Sequence, residues 1–197
     1  MFRSGEYTSQ YVTQLDGSEV PDKQVQPVGV ELTVDTIYKV DGYTVLKDDE
    51  YSKGERVEAS LNEDSHIMES DKREAVDGVM NNVDPEAYND DNLIHMEDEY
   101  YRLTRGPYVV QYSEKIQVPE DSVGFVLPRS RLIRSNNDLS TAVWDAGYEG
   151  RGEGGLNIRS LTFLEKGMRI GVFVLADAET NQMYDGSHQQ ENLDNGN

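Results

Sequence analysis

Most of this chain consists of short runs of apolar and β-branched residues, and each run ends at a turn signal such as Gly106-Pro107, Ser113-Glu114 or Pro119-Glu120-Asp121. Short strands at regular spacing with turns between them indicate a sandwich, jelly roll or barrel. Helices are predicted only over Thr8–Leu15 and within residues 70–80, so the fold class is mainly β. The predicted strands are Val28–Val34, Pro107–Tyr112, Ile116–Val118, Val123–Leu127, Leu156–Ile158 and Arg169–Leu175.

Residues 41–100 interrupt this pattern. They contain 19 acids and 5 bases, and Asn81-Asn82 and Asp84-Pro85 are turn signals. Because a structureless loop of this length would be unusual, we predict a solvated acidic insertion with one short strand or helix. A partner-binding or calcium-binding arm is the alternative, although the EF-hand spacing is absent. The whole chain, 1–197, is then a single domain with a polar tail over about 187–197 that is mobile in isolation.

The charge limits the classes of function. The net charge of −20 repels the backbone of nucleic acids, so no direct nucleic-acid binding is expected. The excess acid indicates either adaptation to high salt, where self-repulsion is screened, or an acidic surface on an ordinary protein, and we favour the first. No apolar run approaches the roughly 20 residues of a membrane span, and the N-terminal segment lacks the apolar region of a secretory signal. We expect a cytoplasmic protein, with the virion as the alternative.

Cysteine is absent, which excludes disulfides, Cys-ligated zinc and thiol nucleophiles. The three histidines, His66, His95 and His188, lie far apart and form no HxxxH pair. No metal site made by protein ligands is therefore predicted.

The first candidate for chemistry is Pro128–Arg134, in which three arginines and a serine directly follow a predicted strand. Guanidinium groups and a hydroxyl at a strand end suit phosphate oxygens. The alternative is a surface arginine cluster that neutralises nearby acids.

The second candidate is Thr141–Gly150, where Asp145 lies in a turn closed by Gly147 and Gly150 and flanked by Trp144 and Tyr148. An ionised aspartate can orient and deprotonate a water molecule. The alternative is an aspartate that caps the turn through its backbone.

Together these two segments resemble the dUTPase and dCTP deaminase superfamily, and the likeness is greatest to the dUTPases of halophilic archaea. Val25–Leu32 is similar to the family's first motif, a Gln-Pro followed by a short acidic strand. Glu165–Gly171 is similar to its later glycine turn and strand, and Tyr184–Gln189 to the C-terminal segment of the archaeal branch. The Asp-Ala-Gly-Tyr turn and the following Arg-Gly-Glu-Gly, Asp145–Gly154, carry the halophilic likeness. Residues 41–100 have no counterpart in this resemblance.

The resemblance implies a distorted jelly roll that forms homotrimers, with active sites between subunits. It also implies hydrolysis of dUTP to dUMP and pyrophosphate, with Mg²⁺ held mainly through the triphosphate. Asp145 would activate the attacking water, and Tyr148 would pack against the deoxyribose. Arg129, Ser130 and Arg134 would bind phosphates. Backbone groups of the segment that contains Thr141, Ala142 and Trp144 would read the pyrimidine.

Three departures from the family pattern affect what the resemblance implies. The glutamate that deaminases carry ten residues after the aspartate is Gly155 here, so deamination is disfavoured. Glu153 lies two residues earlier, which is the same face of a strand, and is the candidate for a shifted substitute. The usual second serine of the Arg-Ser motif is Arg131, and a usual phosphate-binding glutamine is Val172. Two hypotheses follow: an active dUTPase, or a non-catalytic trimer that acts as a structural or regulatory module within a larger assembly.

Overall fold

The computed structural model describes residues 1–41, 45–46, 51–52, 55–59, 61–62 and 99–193. In that part of the chain strands dominate, which confirms the mainly β fold class. The described residues contain two short α-helices, α1 (Gly5–Thr8) and α2 (Ser130–Arg134), and two 3-10 turns, Ser9–Tyr11 and Asp22–Gln24. The strands are β1 (Val12–Thr13), β2 (Val30–Asp41), β3 (Val45–Leu46), β4 (Tyr51–Ser52), β5 (Glu55–Glu58), β6 (Leu61–Asn62), β7 (Tyr100–Leu103), β8 (Gly106–Tyr112), β9 (Lys115–Gln117), β10 (Ser122–Pro128), β11 (Asp138–Ser140), β12 (Glu149–Gly150), β13 (Glu153–Ile158), β14 (Thr162–Glu165) and β15 (Arg169–Asp177).

The main sheet is antiparallel and has the order β10-β15-β2-β8-β13-β11. Its two edges approach each other, because the chain that follows β11 returns to β10. There Trp144 and Gly124 exchange two backbone hydrogen bonds of 2.8 and 3.0 Å. The sheet therefore curls around on itself and encloses the core.

The long strand β2 shows how the sequence produces this arrangement. Val30, Leu32 and Val34 alternate along it and are fully buried, because successive side chains of a strand point to opposite faces. Its N-terminal part pairs with β15 and its C-terminal part with β8, with a register shift between Val34 and Thr36. One strand thus contributes to the core along most of its length, and it also carries Glu31 on the opposite face.

The insertion begins as an extension of the sheet. β5 pairs with the end of β2, and β3 pairs with β4 between them. A smaller sheet contains β14, β7 and β6, in that order. The insertion therefore carries more strand than the single short element that was predicted. The helix expected within residues 70–80 lies outside the described residues.

The predicted helix over Thr8–Leu15 is wrong. Helix α1 begins earlier, after Ser4, whose hydroxyl accepts a hydrogen bond of 3.2 Å from the Tyr7 amide. It gives way to a 3-10 turn and then to β1. Val12 and Thr13 are β-branched and pair with β9, so tertiary pairing overrides the helical tendency of the preceding residues.

No helix in the described residues has the length and apolarity needed to cross a membrane.

Candidate active site

Asp145 lies on the turn that leaves the Trp144–Gly124 bridge. The Tyr148 amide donates to the Asp145 carbonyl at 3.1 Å, and Gly147 completes the turn with a φ of +84°, a conformation that glycine adopts without steric cost. The turn is fixed to the end of β9 by a hydrogen bond of 2.9 Å from the Gly147 amide to the carbonyl of Val118, the residue that follows this strand. The backbone is thus well held, while the Asp145 side chain is exposed to solvent.

The Asp145 carboxylate faces a groove of about 220 Å³. Two further carboxylates, those of Glu153 and Glu191, also line this groove. Asp145 also lines a larger cavity of about 440 Å³, together with Met183 and Tyr184. Asp145 therefore borders two openings.

The three carboxylates of the groove differ in their partners. Glu153 accepts two hydrogen bonds from the guanidinium group of Arg56, at 2.5 and 2.7 Å. Glu191 accepts one from the Tyr148 hydroxyl at 2.9 Å, and its other oxygen lies 2.9 Å from Nδ1 of His188. In the described part of the chain the Asp145 carboxylate has no hydrogen-bond or ion-pair partner. It is the carboxylate of this groove whose oxygens are available to water.

The aromatic residues of the turn belong largely to the core. Trp144 and Tyr148 are 7% and 6% exposed, and their rings meet edge to face at 5.0 Å. Burial, with the charge of Glu191, raises the pKa of Tyr148. Both backbone groups of Trp144 are occupied by Gly124. Tyr148 therefore presents only part of its ring to the groove.

The neighbouring residues Thr141, Ala142 and Val143 are more accessible than Trp144. The Thr141 hydroxyl donates to the Val126 carbonyl at 3.0 Å, which fixes the start of this segment. Among the described residues, the backbone groups of Ala142 and Val143 make no hydrogen bond. Of the predicted pyrimidine-reading segment, these two residues have free backbone groups, and Trp144 does not.

The described part of the tail packs along this turn. The Tyr184 amide donates to the Ala146 carbonyl at 2.8 Å, and the Gln190 amide to the Glu149 carbonyl at 2.7 Å. The Arg151 amide donates back to the Glu191 carbonyl at 3.0 Å. Residues 184–192 therefore form one wall of the groove.

The predicted phosphate-binding residues lie elsewhere in the chain. Arg129 precedes α2, and its Nε is 2.6 Å from Oε1 of Glu31. The other Glu31 oxygen is 2.6 Å from Nη1 of Arg169. Glu31 is only 4% exposed, and a buried carboxylate needs such partners. One buried glutamate thus holds two arginines at the rim of a second cavity of about 440 Å³.

Ser130 and Arg134 are exposed on α2, whereas Arg131 faces the second cavity beside Arg129. None of the three predicted phosphate residues lines either opening next to Asp145. A single chain therefore brings Asp145 and Tyr148 together and keeps them apart from Arg129.

The sequence pattern did not indicate several residues that line or support these sites. Arg56 lies in the insertion, where no pattern marks it. Glu191 and His188 lie in the polar tail. Glu31 carried a signal, because it is the lone acid within an apolar strand.

The fold is shared with a solved structure, the 2'-deoxycytidine 5'-triphosphate deaminase from Agrobacterium tumefaciens. The TM-score is 0.51 at 16% identity, over 90% of this chain and 48% of that chain. Residues 3–178 match the model of the dCTP deaminase-like family. The chain therefore belongs to the dCTP deaminase-like family.

Archaeal relatives extend this likeness over nearly the whole chain. A probable deoxyuridine 5'-triphosphate nucleotidohydrolase of Halobacterium salinarum is 33% identical over 194 residues, which are 98% of this chain and 97% of that protein. The deoxyuridine 5'-triphosphate nucleotidohydrolase of Methanocaldococcus jannaschii is 27% identical over 169 residues, 85% of this chain and 88% of that protein. The resemblance to halophilic archaeal proteins, inferred from residues 145–154, is thus confirmed.

Proposed function

We propose that this protein is a dUTP diphosphatase that hydrolyses dUTP to dUMP and pyrophosphate, with Asp145 as the base that activates water. The full-length likeness to proteins named as dUTP nucleotidohydrolases supports the substrate. The observation that carries the role of Asp145 is its free carboxylate in a groove whose other two carboxylates are engaged. An accessible carboxylate at the edge of a groove can orient a water molecule and accept its proton.

The remaining roles follow the family pattern, adjusted to this geometry. Arg129, Ser130 and Arg134 would bind the phosphates. Thr141, Ala142 and Trp144 belong to the segment that would read the pyrimidine, with Ala142 as the member whose backbone groups are free. Tyr148 would contact the deoxyribose with the exposed part of its ring.

The separation of Asp145 from Arg129 within one chain supports a homotrimer with sites at its interfaces. In such an assembly the groove of one subunit would face the arginines of its neighbour. We propose that this is how water activation and charge stabilisation meet, since donors that act on the developing phosphoryl charge must be in place before reaction.

Mg²⁺ would be held mainly by the substrate. In the described residues no group of three histidines or acids could form a metal site, so most ligands of a bound Mg²⁺ would be phosphate oxygens and water, as is usual for this ion. When bound, the ion would neutralise charge on the triphosphate.

The ion pair between Glu153 and Arg56 favours hydrolysis over deamination, because Glu153 is the candidate substitute for a deaminase glutamate. Each of its oxygens accepts a hydrogen bond from Arg56, so its negative charge is paired and its carboxylate is held in place, which disfavours a role in proton transfer. At Gly155, where the family's deaminases carry that glutamate, a Cβ would have its nearest contact at 3.7 Å from the Ser140 carbonyl oxygen. The space is present, but the carboxylate is not.

The test is pyrophosphate and dUMP release from dUTP with Mg²⁺ in molar KCl. We expect turnover by the wild type and its loss in Asp145→Asn, with a decrease of about 100-fold or more for a missing general base. Asp138→Asn, at an exposed ion pair with Arg159, is the matched control and should remain active. Ammonia release from dCTP is measured in parallel. An inactive wild type, or an active Asp145→Asn, would refute the proposal.

A second candidate is a trimer that binds a nucleotide without turnover and serves as a regulator or as a component of a larger assembly, such as a virion. The engagement of Tyr148 with Glu191, and the tail that forms one wall of the groove, favour it. Binding of a non-hydrolysable dUTP analogue without any pyrophosphate release from dUTP would identify this alternative. Under the first proposal we expect a cytoplasmic enzyme of a salt-adapted archaeon or of its virus.

A further inference from the structure

The cavity beside Arg129 is positively charged, although the chain as a whole is acidic. Among the described residues, Lys23, Arg129, Arg131 and Arg169 line it together with one acid, Glu165. The buried carboxylate of Glu31, behind Arg129 and Arg169, supplies a second negative charge. A third acid, Glu114, is buried behind the lining residues Gln24 and Thr33. Four cations and three acids among the described residues still leave an excess of positive charge, in a protein whose net charge is −20. Such a cavity attracts anions.

Two of these four cations are already committed to structure. Arg129 binds Glu31 through Nε and the Arg169 carbonyl through Nη1, at 2.6 and 3.2 Å. Nη1 of Arg169 binds Glu31 at 2.6 Å and the Lys23 carbonyl at 2.9 Å. The two guanidinium groups share the one carboxylate of Glu31, so half of their charge is balanced, and several of their donors are used before any ligand arrives.

The other two cations, Lys23 and Arg131, are exposed, and in the described residues neither has an ion-pair partner. Most other described cations do have one. The paired set comprises Arg3, Arg56, Lys115, Arg129, Arg151, Arg159, Lys166 and Arg169. In a chain with 38 acids and 18 bases, two unpaired cations on one cavity are available for an anion from outside.

We propose that Lys23 and Arg131 bind the polyphosphate part of the nucleotide, and that they distinguish a triphosphate from a monophosphate. This inference rests on the proposed function. Lys23 supplies a compact charge with three donors, and Arg131 supplies a planar fork of donors that matches phosphate oxygens. Arg129, held by Glu31, positions the floor of the cavity, and the two free cations supply the charge that a triphosphate has in excess of dUMP.

The experiment compares binding of α,β-imido-dUTP and of dUMP by calorimetry in 1 M KCl. The variants are Lys23→Gln and Arg131→Gln, each at an exposed side chain. Lys39→Gln and Arg105→Gln are matched controls, because these two residues are also exposed, have no ion-pair partner in the described chain and lie outside the cavity. At this salt concentration the Debye length is about 3 Å, so only a charge in contact with the ligand affects binding.

We expect each cavity variant to weaken binding of the triphosphate analogue by about ten-fold, the size of a lost charge-assisted hydrogen bond. Binding of dUMP should stay at the wild-type level, and so should both ligands in the controls. Equal losses for the two nucleotides, or cavity variants that bind the analogue like the controls, would overturn the proposal. So would a wild type without preference for the triphosphate.

Pyrophosphate release by the wild type is measured separately. A protein that binds as expected but does not turn over dUTP supports this inference and refutes the proposed activity. A protein that turns over dUTP, and whose cavity variants bind the analogue like the controls, supports the proposed activity and refutes this inference.

Discussion

The guanidinium group of Arg56 holds the carboxylate of Glu153 through two hydrogen bonds of 2.5 and 2.7 Å, and so links the acidic insertion to the wall of the Asp145 groove. Arg56 lies on β5, which pairs with β2, and Glu153 lies on β13, two strands further along the main sheet. The guanidinium group also lies 5.7 Å from the ring centre of Tyr38. The insertion is thus connected to the candidate site by a specific contact.

Replacement of Arg56 by methionine should therefore destabilise the protein. The two side chains are 26% and 15% exposed, so the cost of leaving Glu153 unpaired is expected between the surface and the buried limits, at about 1–2 kcal/mol. Urea unfolding measures it, with Arg105→Met as the control at an exposed cation. The double variant Arg56→Met/Glu153→Gln should recover part of the loss, and a double variant as unstable as the sum of the single ones would contradict direct pairing.

Two glycines at the start of β13, Gly152 just before it and Gly155 within it, should respond differently to an added methyl group. A Cβ on Gly152 would lie 2.1 Å from Cη2 of Trp144, whereas a Cβ on Gly155 would have no atom closer than 3.7 Å. We expect Gly152→Ala to cost about 1–3 kcal/mol by overpacking and Gly155→Ala to change stability little. Thermal unfolding and the near-UV signal of Trp144 measure both. Equal effects would show that the ring of Trp144 does not pack against Gly152.

The buried Glu114 should make stability depend on pH. Burial raises the pKa of its carboxyl above the ordinary value of 4.5, so the native state holds a proton that the unfolded chain releases. Between the ordinary and the raised pKa, stability therefore falls as pH rises. The Glu114→Gln variant lacks this contribution, so the free-energy difference between wild type and variant should shrink as pH increases through that window.

At any pH the Glu114→Gln variant should also be less stable than the wild type. The carboxylate accepts from the Thr33 amide at 2.9 Å and from Gln24 and the Thr33 hydroxyl at 2.7 Å each. An amide nitrogen in place of one oxygen would face a donor, at a cost of about 1–3 kcal/mol. Urea titrations across a pH series measure both effects, with Glu120→Gln as an exposed control. A constant difference across that series would rule out the raised pKa.

The hydroxyl of Tyr148 should hold the tail in place. Tyr148→Phe removes its hydrogen bond to Glu191, a loss of about 1 kcal/mol, and should increase exchange of the Gln190 amide, which donates to Glu149. Hydrogen exchange of residues 184–192 measures this. Tyr38→Phe, which loses a longer hydrogen bond of 3.4 Å to Gln111, is the control. Unchanged exchange at Gln190 in Tyr148→Phe would mean that the tail is held by its backbone bonds alone.

The strands were predictable because the core and the turns leave local marks. Val30, Leu32 and Val34 alternate with less apolar positions, and each predicted strand overlaps an observed one. The predicted helix over Thr8–Leu15 was wrong because Val12 forms a strand by pairing with Ile116, more than a hundred positions away. Local patterns cannot report such a partner.

For the candidate site, the sequence indicated the residue types but not which side chains they would contact. It marked Asp145, but not that Arg56 and Tyr148 would occupy the other carboxylates of the same groove. It marked Arg131 as a departure from the family, but not that Lys23 would line the same cavity. These relationships arise from side chains that meet across the sheet or through the tail, and no spacing within the chain encodes them.

The position of Glu31 within β2 has a consequence for partial unfolding. Val30 and Leu32 on either side of it are fully buried in the core, while Glu31 itself anchors Arg129 and Arg169 on the opposite face. Any opening that releases this part of the strand removes core contacts and frees both arginines in the same event. Subglobal openings that retain the strand would leave the arginines in place. Loss of Arg129 positioning and loss of the main sheet should then be a single cooperative transition, with no native-like intermediate in which only the cationic cavity is disordered.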